Sequence, residues 1–220
     1  MRAFVQHAFF WLVVRPIVTI VIGLNVRHRE RLPPDGPAIV VANHNSHLDT
    51  LVLMTLFPPS RLSRLRPVAA ADYFLRSRAL AAFALSVMHI IPIHRGGAGR
   101  GDPLAGADCA LGNGDILILF PEGTRGEPER LAAFKSGVAH LAKRHPTVPV
   151  VPIYLHGLGK ALPKGSSLLV PFFCDVFIGD AVRVGDDLQA GEHFDHKAFT
   201  ALLADRMTAL ESEGGFAPWS

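Results

Sequence analysis

The sequence predicts an α/β fold: one domain with a mostly buried mixed sheet flanked by helices, preceded by an N-terminal apolar helical segment that contacts a membrane. Three observations predict it. Strand-length apolar runs alternate with segments of helical length, the pattern of a sheet with helical crossovers. Those runs are β-branched and nearly unbroken, as in strands buried on both faces. The first part of the chain is also far more apolar than a solvated terminus needs.

From the N-terminus, Ala8 to Val26 is apolar apart from Arg15, Thr19 and Asn25, and the basic cluster Arg27, His28, Arg29 and Arg31 follows. No small-residue cleavage site follows the apolar stretch, so it does not read as a signal peptide. Arg15 would cost about 2.5–3.5 kcal/mol at a bilayer centre, and Pro16 breaks or kinks a helix. Two short helices bent at Arg15-Pro16, lying in the interface with Arg15 reaching toward headgroups, are therefore expected over residues 1–31. The alternative is an ordinary helix packed on the protein's own core.

A turn-rich break at Leu32–Pro37 opens the globular domain, residues 32–220. Expected strands are Ala38–Ala42, Pro67–Ala70, His89–Ile93, Ile116–Phe120 and Val148–Leu155, with Leu168–Phe173 and Asp175–Ile178 completing the sheet. Expected helices are Asp49–Phe57, Asp72–Val87, Pro103–Leu111 and Ala132–Arg144. The tail from Phe194 to Glu211 carries helical spacing at Phe199, Leu202, Leu203, Met207 and Leu210. There is no internal repeat.

Composition narrows the function. The 220 residues are 49% hydrophobic with a mean hydropathy of +0.28, which suits a domain that touches a bilayer. The net charge of +3 is too small to argue for nucleic acid. It fits an anionic membrane surface or phosphorylated ligands. Cys109 and Cys174 lie far apart with no C-x2-C pattern, which reads as two free thiols in a reducing compartment.

Two stretches carry chemistry. His44 and Asp49 stand five apart, directly after the buried strand Ala38–Ala42. The carboxyl end of a strand is where sites form in open α/β sheets. On one regular helix that spacing would point the two side chains apart. Across a loop-to-helix junction the carboxylate can instead reach the imidazole, fix its tautomer and leave the other nitrogen as a general base. Asp49 could equally serve only as a helix cap. His47 adds a possible H-x2-H-x-D metal set, but no further ligand stands at a recognisable spacing, so no metal is expected.

The second stretch follows the strand Ile116–Phe120, where Pro121, Glu122 and Gly123 make a turn that presents Thr124 and Arg125. Gly123 permits close backbone approach and Arg125 can bind a phosphate bidentately. Lys135 is expected at the start of the next helix, a place that disfavours a cation unless an anion is near. Arg95, just past another strand end, adds a cation at the same edge. An ordinary solvated strand-to-helix loop is the alternative.

Together these stretches resemble the glycerolipid acyltransferase family, which includes 1-acylglycerol-3-phosphate acyltransferases. Asn43-His44 through Asp49 is similar to the family's Asn-His-x4-Asp block. Ile93-His94-Arg95 resembles its second block, with His at 94 where a small polar residue is usual. Phe120 to Arg125 is similar to its third block, Val148–Ile153 to its proline-punctuated fourth, and Phe134–Gly137 to the segment that follows the third.

The resemblance implies that His44 is the general base and Asp49 its orienting partner. Arg95, Glu122, Gly123, Thr124 and Arg125 would bind the acceptor's glycerol phosphate, and Lys135, read above as a cation placed for an anion, would join them. It implies acyl transfer from acyl-CoA or acyl-acyl carrier protein, as co-substrate rather than cofactor, to a lysophospholipid in the membrane, 1-acylglycerol-3-phosphate first among them. Phosphatidate would be the product, made at the cytoplasmic face of the cell membrane. Phe74, Leu75, Leu80, Phe83, Leu85, Val87 and Met88 are candidates for an acyl pocket or simply core. Competing readings are another lysolipid acceptor, a metal-dependent phosphoesterase using His44, His47 and Asp49, and a non-catalytic membrane-surface adaptor.

Overall fold

The computed structural model describes residues 2–74, 77–94, 101–126, 130–162, 170–187 and 194–216. Its centre is a seven-stranded mixed sheet: β1 (Leu24–Arg27), β2 (Ala38–Ala42), β3 (Leu65–Ala70), β4 (Ile91–Ile93), β5 (Ile116–Leu119), β6 (Val150–His156) and β7 (Cys174–Ile178). Their spatial order is β1-β7-β6-β2-β5-β3-β4. All neighbours run parallel except β6 and β7.

β2 shows why the apolar runs are continuous. Ala38, Val40 and Ala42 enter one core, shared with the N-terminal helix. Ile39 and Val41 enter the other. Successive side chains point to opposite faces of a strand, so a layer on each side demands an unbroken apolar run.

On the first face lie α1 (Arg2–Phe9, continued to Val21), α2 (Asp49–Thr55), α3 (Ala71–Phe74), α4 (Arg78–Ser86) and α7 (Leu158–Ala161). The second face carries α5 (Ala105–Gly112), α6 (Gly137–Arg144), α8 (Val184–Asp187) and α9 (His196–Gly214). Local chemistry sets several ends. Ser77 caps α4 by accepting from the Leu80 N–H, Asp195 caps α9 through the Lys197 N–H, and Gly215 closes α9 in the left-handed conformation.

Several elements differ from expectation. The N-terminal helix does not bend into two at Arg15-Pro16. It runs through Pro16, with π-type turns at Phe10–Val14 and Ile17–Val21 that widen the helix around the proline ring. Phe10, Val14, Val18 and Ile22 pack on the core, while Phe4, Trp11, Leu12 and Ile20 face outward.

Leu24–Arg27, expected as helix end and basic cluster, forms the edge strand β1. The helix expected over 132–144 starts only at Gly137, because the Lys135 N–H donates to the Pro121 carbonyl instead of to a helical partner. His89 has a left-handed φ of 52° and so delays β4 to Ile91. The helix expected over 72–87 is divided into α3 and α4. Of the strand expected at Leu168–Phe173, residues 168 and 169 lie outside the described residues and Val170–Phe173 is not strand: Pro171 has no N–H for a ladder.

Candidate active site

The parallel strands β2 and β5 end side by side, and the loops leaving them build the site. At the end of β2, buried Asn43 donates from Nδ2 to the Leu155 carbonyl (2.8 Å) and accepts at Oδ1 from the Leu155 N–H (2.7 Å). The amide thereby extends the β2–β6 ladder by one rung and fixes where the next residue, His44, leaves the sheet.

His44 and Asp49 meet. His44 Nδ1 donates to Asp49 Oδ2 at 2.9 Å, and the same oxygen accepts from the Asn45 N–H (2.7 Å) and the Ser46 N–H (2.8 Å). The five-residue spacing works because the chain turns back over 45–47 before α2 begins, so backbone amides and the imidazole converge on one carboxylate oxygen. Asp49 is fully buried. Burial pushes its carboxyl above the ordinary value, while the His44 bond and the two amides pull toward the ionised form. With Nδ1 holding its hydrogen against the carboxylate, Nε2 carries the lone pair. The ring also stacks on Phe120 at a centroid distance of 4.1 Å.

The loop after β5 is fastened to the same residue. Glu122 Oε1 accepts from the His44 N–H (3.1 Å), and the Gly126 N–H donates to the His44 carbonyl (2.9 Å). Glu122 is only 4% exposed, and burial pushes its carboxyl up to about 7 against the opposing effect of its backbone hydrogen bonds. It does not line the cavity described next; expected among the acceptor contacts, it stands here against the backbone of His44. A carboxylate this close to His44 and Asp49 has its desolvation cost lowered by an N–H donor, and His44 supplies one.

A cavity of about 920 Å³ opens beside the imidazole. That is near the upper end of the roughly 300–1,000 Å³ usual for small-molecule sites. His44, His47, Gly123, Thr124, Arg125 and Lys135 line one part of it; Leu80, Phe83, Ala84, Met88, Ile90 and Val68 line another. Of the apolar residues expected to hold an acyl chain, Phe74, Leu80, Phe83 and Met88 line the cavity, whereas Leu85 points outward. Leu75 lies outside the described residues.

Arg125 donates through Nη1 to His47 Nε2. Gly123, at φ 73°, lies under the Lys135 side chain: a Cβ there would stand 2.7 Å from Lys135 Nζ. Lys135 reaches this point from an extended segment ahead of α6, not from a helix start. The structure thus brings together His44, Asp49, Gly123, Thr124, Arg125 and Lys135, while Arg95 lies outside the described residues.

A family model for acyltransferases matches residues 23–156, more than half of the chain. The chain belongs to the acyltransferase family. Within that match fall the His44–Asp49 dyad, the Glu122–Arg125 loop and Lys135. The acyltransferase chain is 34% identical over 150 residues to the chloroplastic 1-acyl-sn-glycerol-3-phosphate acyltransferase LPAT1 of Arabidopsis thaliana, covering 65% of this chain and 38% of that protein. It is 33% identical over 134 residues to the human 1-acyl-sn-glycerol-3-phosphate acyltransferase alpha, covering 61% of this chain and 46% of that one. The chain thus spans less than half the length of these relatives.

The crystal structure of the 1-acyl-sn-glycerophosphate (LPA) acyltransferase PlsC from Thermotoga maritima shares the fold. Its TM-score is 0.74 at 23% identity, over 100% of this chain and 83% of that one.

Sequence reasoning left three positioning contacts unread: the Asn43 clamp on Leu155, the Phe120 stack on the imidazole and the His47–Arg125 pair. Asn43 had a usable signal, an amide placed directly after a fully buried strand, where a polar side chain must find backbone partners. The other two depend on which loops meet in space.

Proposed function

We propose that this acyltransferase moves a fatty acyl group from acyl-CoA or acyl-acyl carrier protein to the free hydroxyl of 1-acylglycerol-3-phosphate, giving phosphatidate in phospholipid biosynthesis. The observation that carries the reading is His44, tied at Nδ1 to buried Asp49, lining a cavity that also holds Arg125 and Lys135. His44 Nε2 accepts the proton of the acceptor hydroxyl as its oxygen attacks the thioester carbonyl. The C–S bond then breaks, and the departing thiolate takes the proton back from the imidazolium. An ester and a free thiol result, with no covalent enzyme intermediate, because the thioester is already activated.

Asp49 holds the tautomer and stabilises the imidazolium. Arg125 and Lys135 offer charge-assisted bonds to the acceptor's phosphate, and the apolar part of the cavity suits an acyl chain. The same cations would accept another anionic lysolipid headgroup, which a panel of acceptors distinguishes. His47, a ligand in the phosphoesterase reading, instead meets the Arg125 guanidinium at Nε2, which weighs against that reading.

A lysolipid acceptor resides in the bilayer, and the protein must reach it there. The helix Phe4–Val21 is long and apolar enough to cross a membrane, and its outward side chains include Leu12, 76% exposed, and Ile20, 80% exposed. Large apolar side chains displayed in a row mark a lipid or partner surface. We place the enzyme on the cytoplasmic face of the cell membrane.

The test is thiol release from acyl-CoA, with and without 1-acylglycerol-3-phosphate, in wild type and His44→Ala. Loss of a general base costs about 10²–10⁴-fold, so the variant's acceptor-dependent release should fall by that factor while its circular dichroism is unchanged. Full activity in the variant rejects the assignment.

A further inference from the structure

The register of the sheet places a second apolar feature at the catalytic edge. β6 runs parallel to β2 and ends at His156, on the edge where His44 leaves β2. β7 is antiparallel to β6 with His156 opposite Asp175, so β7 begins at that edge, and β1 begins beside it with Leu24 opposite Cys174. The residues just before these starts, Phe173 and Gly23, therefore sit at the carboxyl edge of the parallel strands. Phe173 lies two strand spacings from the strand of His44, roughly 10 Å, and Gly23 three, roughly 14 Å.

Here the chain displays large apolar side chains to solvent. Phe173 is 84% exposed, Val170 45% and Phe172 37%. Two glycines leave room for the rings: a Cβ at Gly23 would stand 2.8 Å from the Phe173 ring, and one at Gly157 3.1 Å from Phe172. Gly23 ends the N-terminal helix only three residues after the outward-facing Ile20, and its carbonyl accepts from the Cys174 N–H. The apolar surface of the helix thus continues onto Phe173.

The Lys160 ammonium lies 5.2 Å from the Phe172 ring centroid, as Arg15 lies over Trp11 farther up the helix. Aromatic rings beside cations match the boundary between acyl chains and anionic headgroups. The segment is also tied to the catalytic loop: the Val170 N–H donates to the Ala161 carbonyl, and Ser46 Oγ donates to the carbonyl of the next residue, Leu162.

We propose that Val170, Phe172 and Phe173, with Lys160, form a second contact with an anionic lipid surface, which together with the N-terminal helix holds the His44 edge of the sheet against the bilayer. This rests on the membrane reading above and deepens it. One helix alone leaves the domain free to swing about its axis; a second contact at the sheet edge fixes the cavity mouth relative to the lipid.

The experiment uses the full chain and vesicles of phosphatidylcholine with or without phosphatidylglycerol. Three proteins are floated: wild type, the Phe172→Ser/Phe173→Ser variant and a Leu12→Ser/Ile20→Ser helix variant. Full burial of a phenylalanine is worth enough for roughly tenfold or more in partitioning. The loop variant should therefore bind vesicles at least tenfold more weakly, with its thiol release unchanged on acceptor supplied in detergent micelles.

Phe173→Trp, in a Trp11→Phe/Trp219→Phe background, should show a blue-shifted emission on anionic vesicles, and Lys160→Glu should weaken binding most at low salt. Wild-type flotation by the loop variant, or an unshifted emission from the Phe173→Trp protein, overturns the proposal. If the helix variant still loses binding, the membrane reading survives that result. Absence of wild-type flotation sinks both. A self-associating wild type whose mass falls only in the loop variant, with flotation unchanged, assigns the patch to a second copy and overturns the lipid contact.

Discussion

Replacing Glu122 by Gln isolates what a buried carboxyl beside His44 does. Burial moves this group from 4.5 to about 7. The displacement is worth on the order of 3 kcal/mol. The folded protein holds the proton more tightly than the unfolded chain, so between pH 4.5 and 7 the native state binds the extra proton. Stability therefore falls as pH rises through that window.

Glutamine keeps a carbonyl oxygen to accept from the His44 N–H but does not titrate. Its constant cost, such as a buried amide without a partner, is the same at every pH. The signal is thus the difference between the two proteins: urea unfolding in mild detergent should show the variant gaining on the order of 3 kcal/mol relative to wild type between about pH 4 and pH 8. Parallel stability curves would refute the burial argument and return Glu122 to the solvated cavity. Kinetics give a second reading. A carboxylate that only clamps the backbone of His44 leaves the acceptor KM unchanged in Glu122→Gln, whereas one that binds the acceptor raises it.

Asp49→Asn should lower kcat by about 10²–10⁴-fold with near-UV circular dichroism retained, because the ring loses its anionic partner and its tautomer is no longer fixed; wild-type turnover would remove Asp49 from the mechanism. Asn43→Ala leaves the buried Leu155 N–H and carbonyl without side-chain partners, a loss of about 2–4 kcal/mol by urea unfolding; a change under about 0.5 kcal/mol, the level of a surface substitution, would show that the clamp does not hold the strand end. Gly123→Ala puts a Cβ into the Lys135 side chain at a left-handed φ, so the acceptor KM should rise several-fold with kcat largely kept, and the backbone strain of about 1–2 kcal/mol should appear as a lower Tm; an unchanged KM would mean Lys135 plays no part in binding.

The parts of the fold that were legible in the sequence are those with one dominant physical cause. β2 could be bounded to the residue because all five of its side chains are buried between two layers. β1 could not, because Leu24–Arg27 is an edge strand whose side chains alternate between half-buried and exposed and include Asn25 and Arg27. Pro16 signals a break locally, yet Val14 and Val18 pack on the core on either side of it, and that packing carries the helix through. The start of α6 misled for the opposite reason. Ala132 to Phe134 is a good helical sequence, but the Lys135 N–H is taken by Pro121. At the site, the His44–Asp49 spacing was readable as a pair that needs a turn between its members. The direction of Glu122 was not, because nothing local to residues 120–126 reveals that the His44 N–H stands opposite.

The dyad and the cationic end of the cavity, proposed above to hold the acceptor, are built from different materials, and this bears on how specificity should change. The backbone of His44 is fixed by bonds at its own N–H and carbonyl, after a residue clamped twice to β6. Its ring is fixed by Asp49 on one edge and Phe120 on one face. None of these contacts involves Thr124, Arg125 or Lys135. Those three sit on loop segments, with Thr124 and Lys135 exposed and Arg125 braced by His47. Under the proposed function, substitution at 124, 125 or 135 should therefore alter which headgroup is held without moving His44, whereas substitution at 43 or 122 should move His44 whatever headgroup is present. Arg125→Lys should accordingly shift the ratio of KM values between acceptors with one and two headgroup charges, at nearly constant kcat, since a point charge replaces a planar fork. A drop in kcat of equal size for every acceptor would show instead that Arg125 acts on the transition state, and that the base and the anion site are one unit.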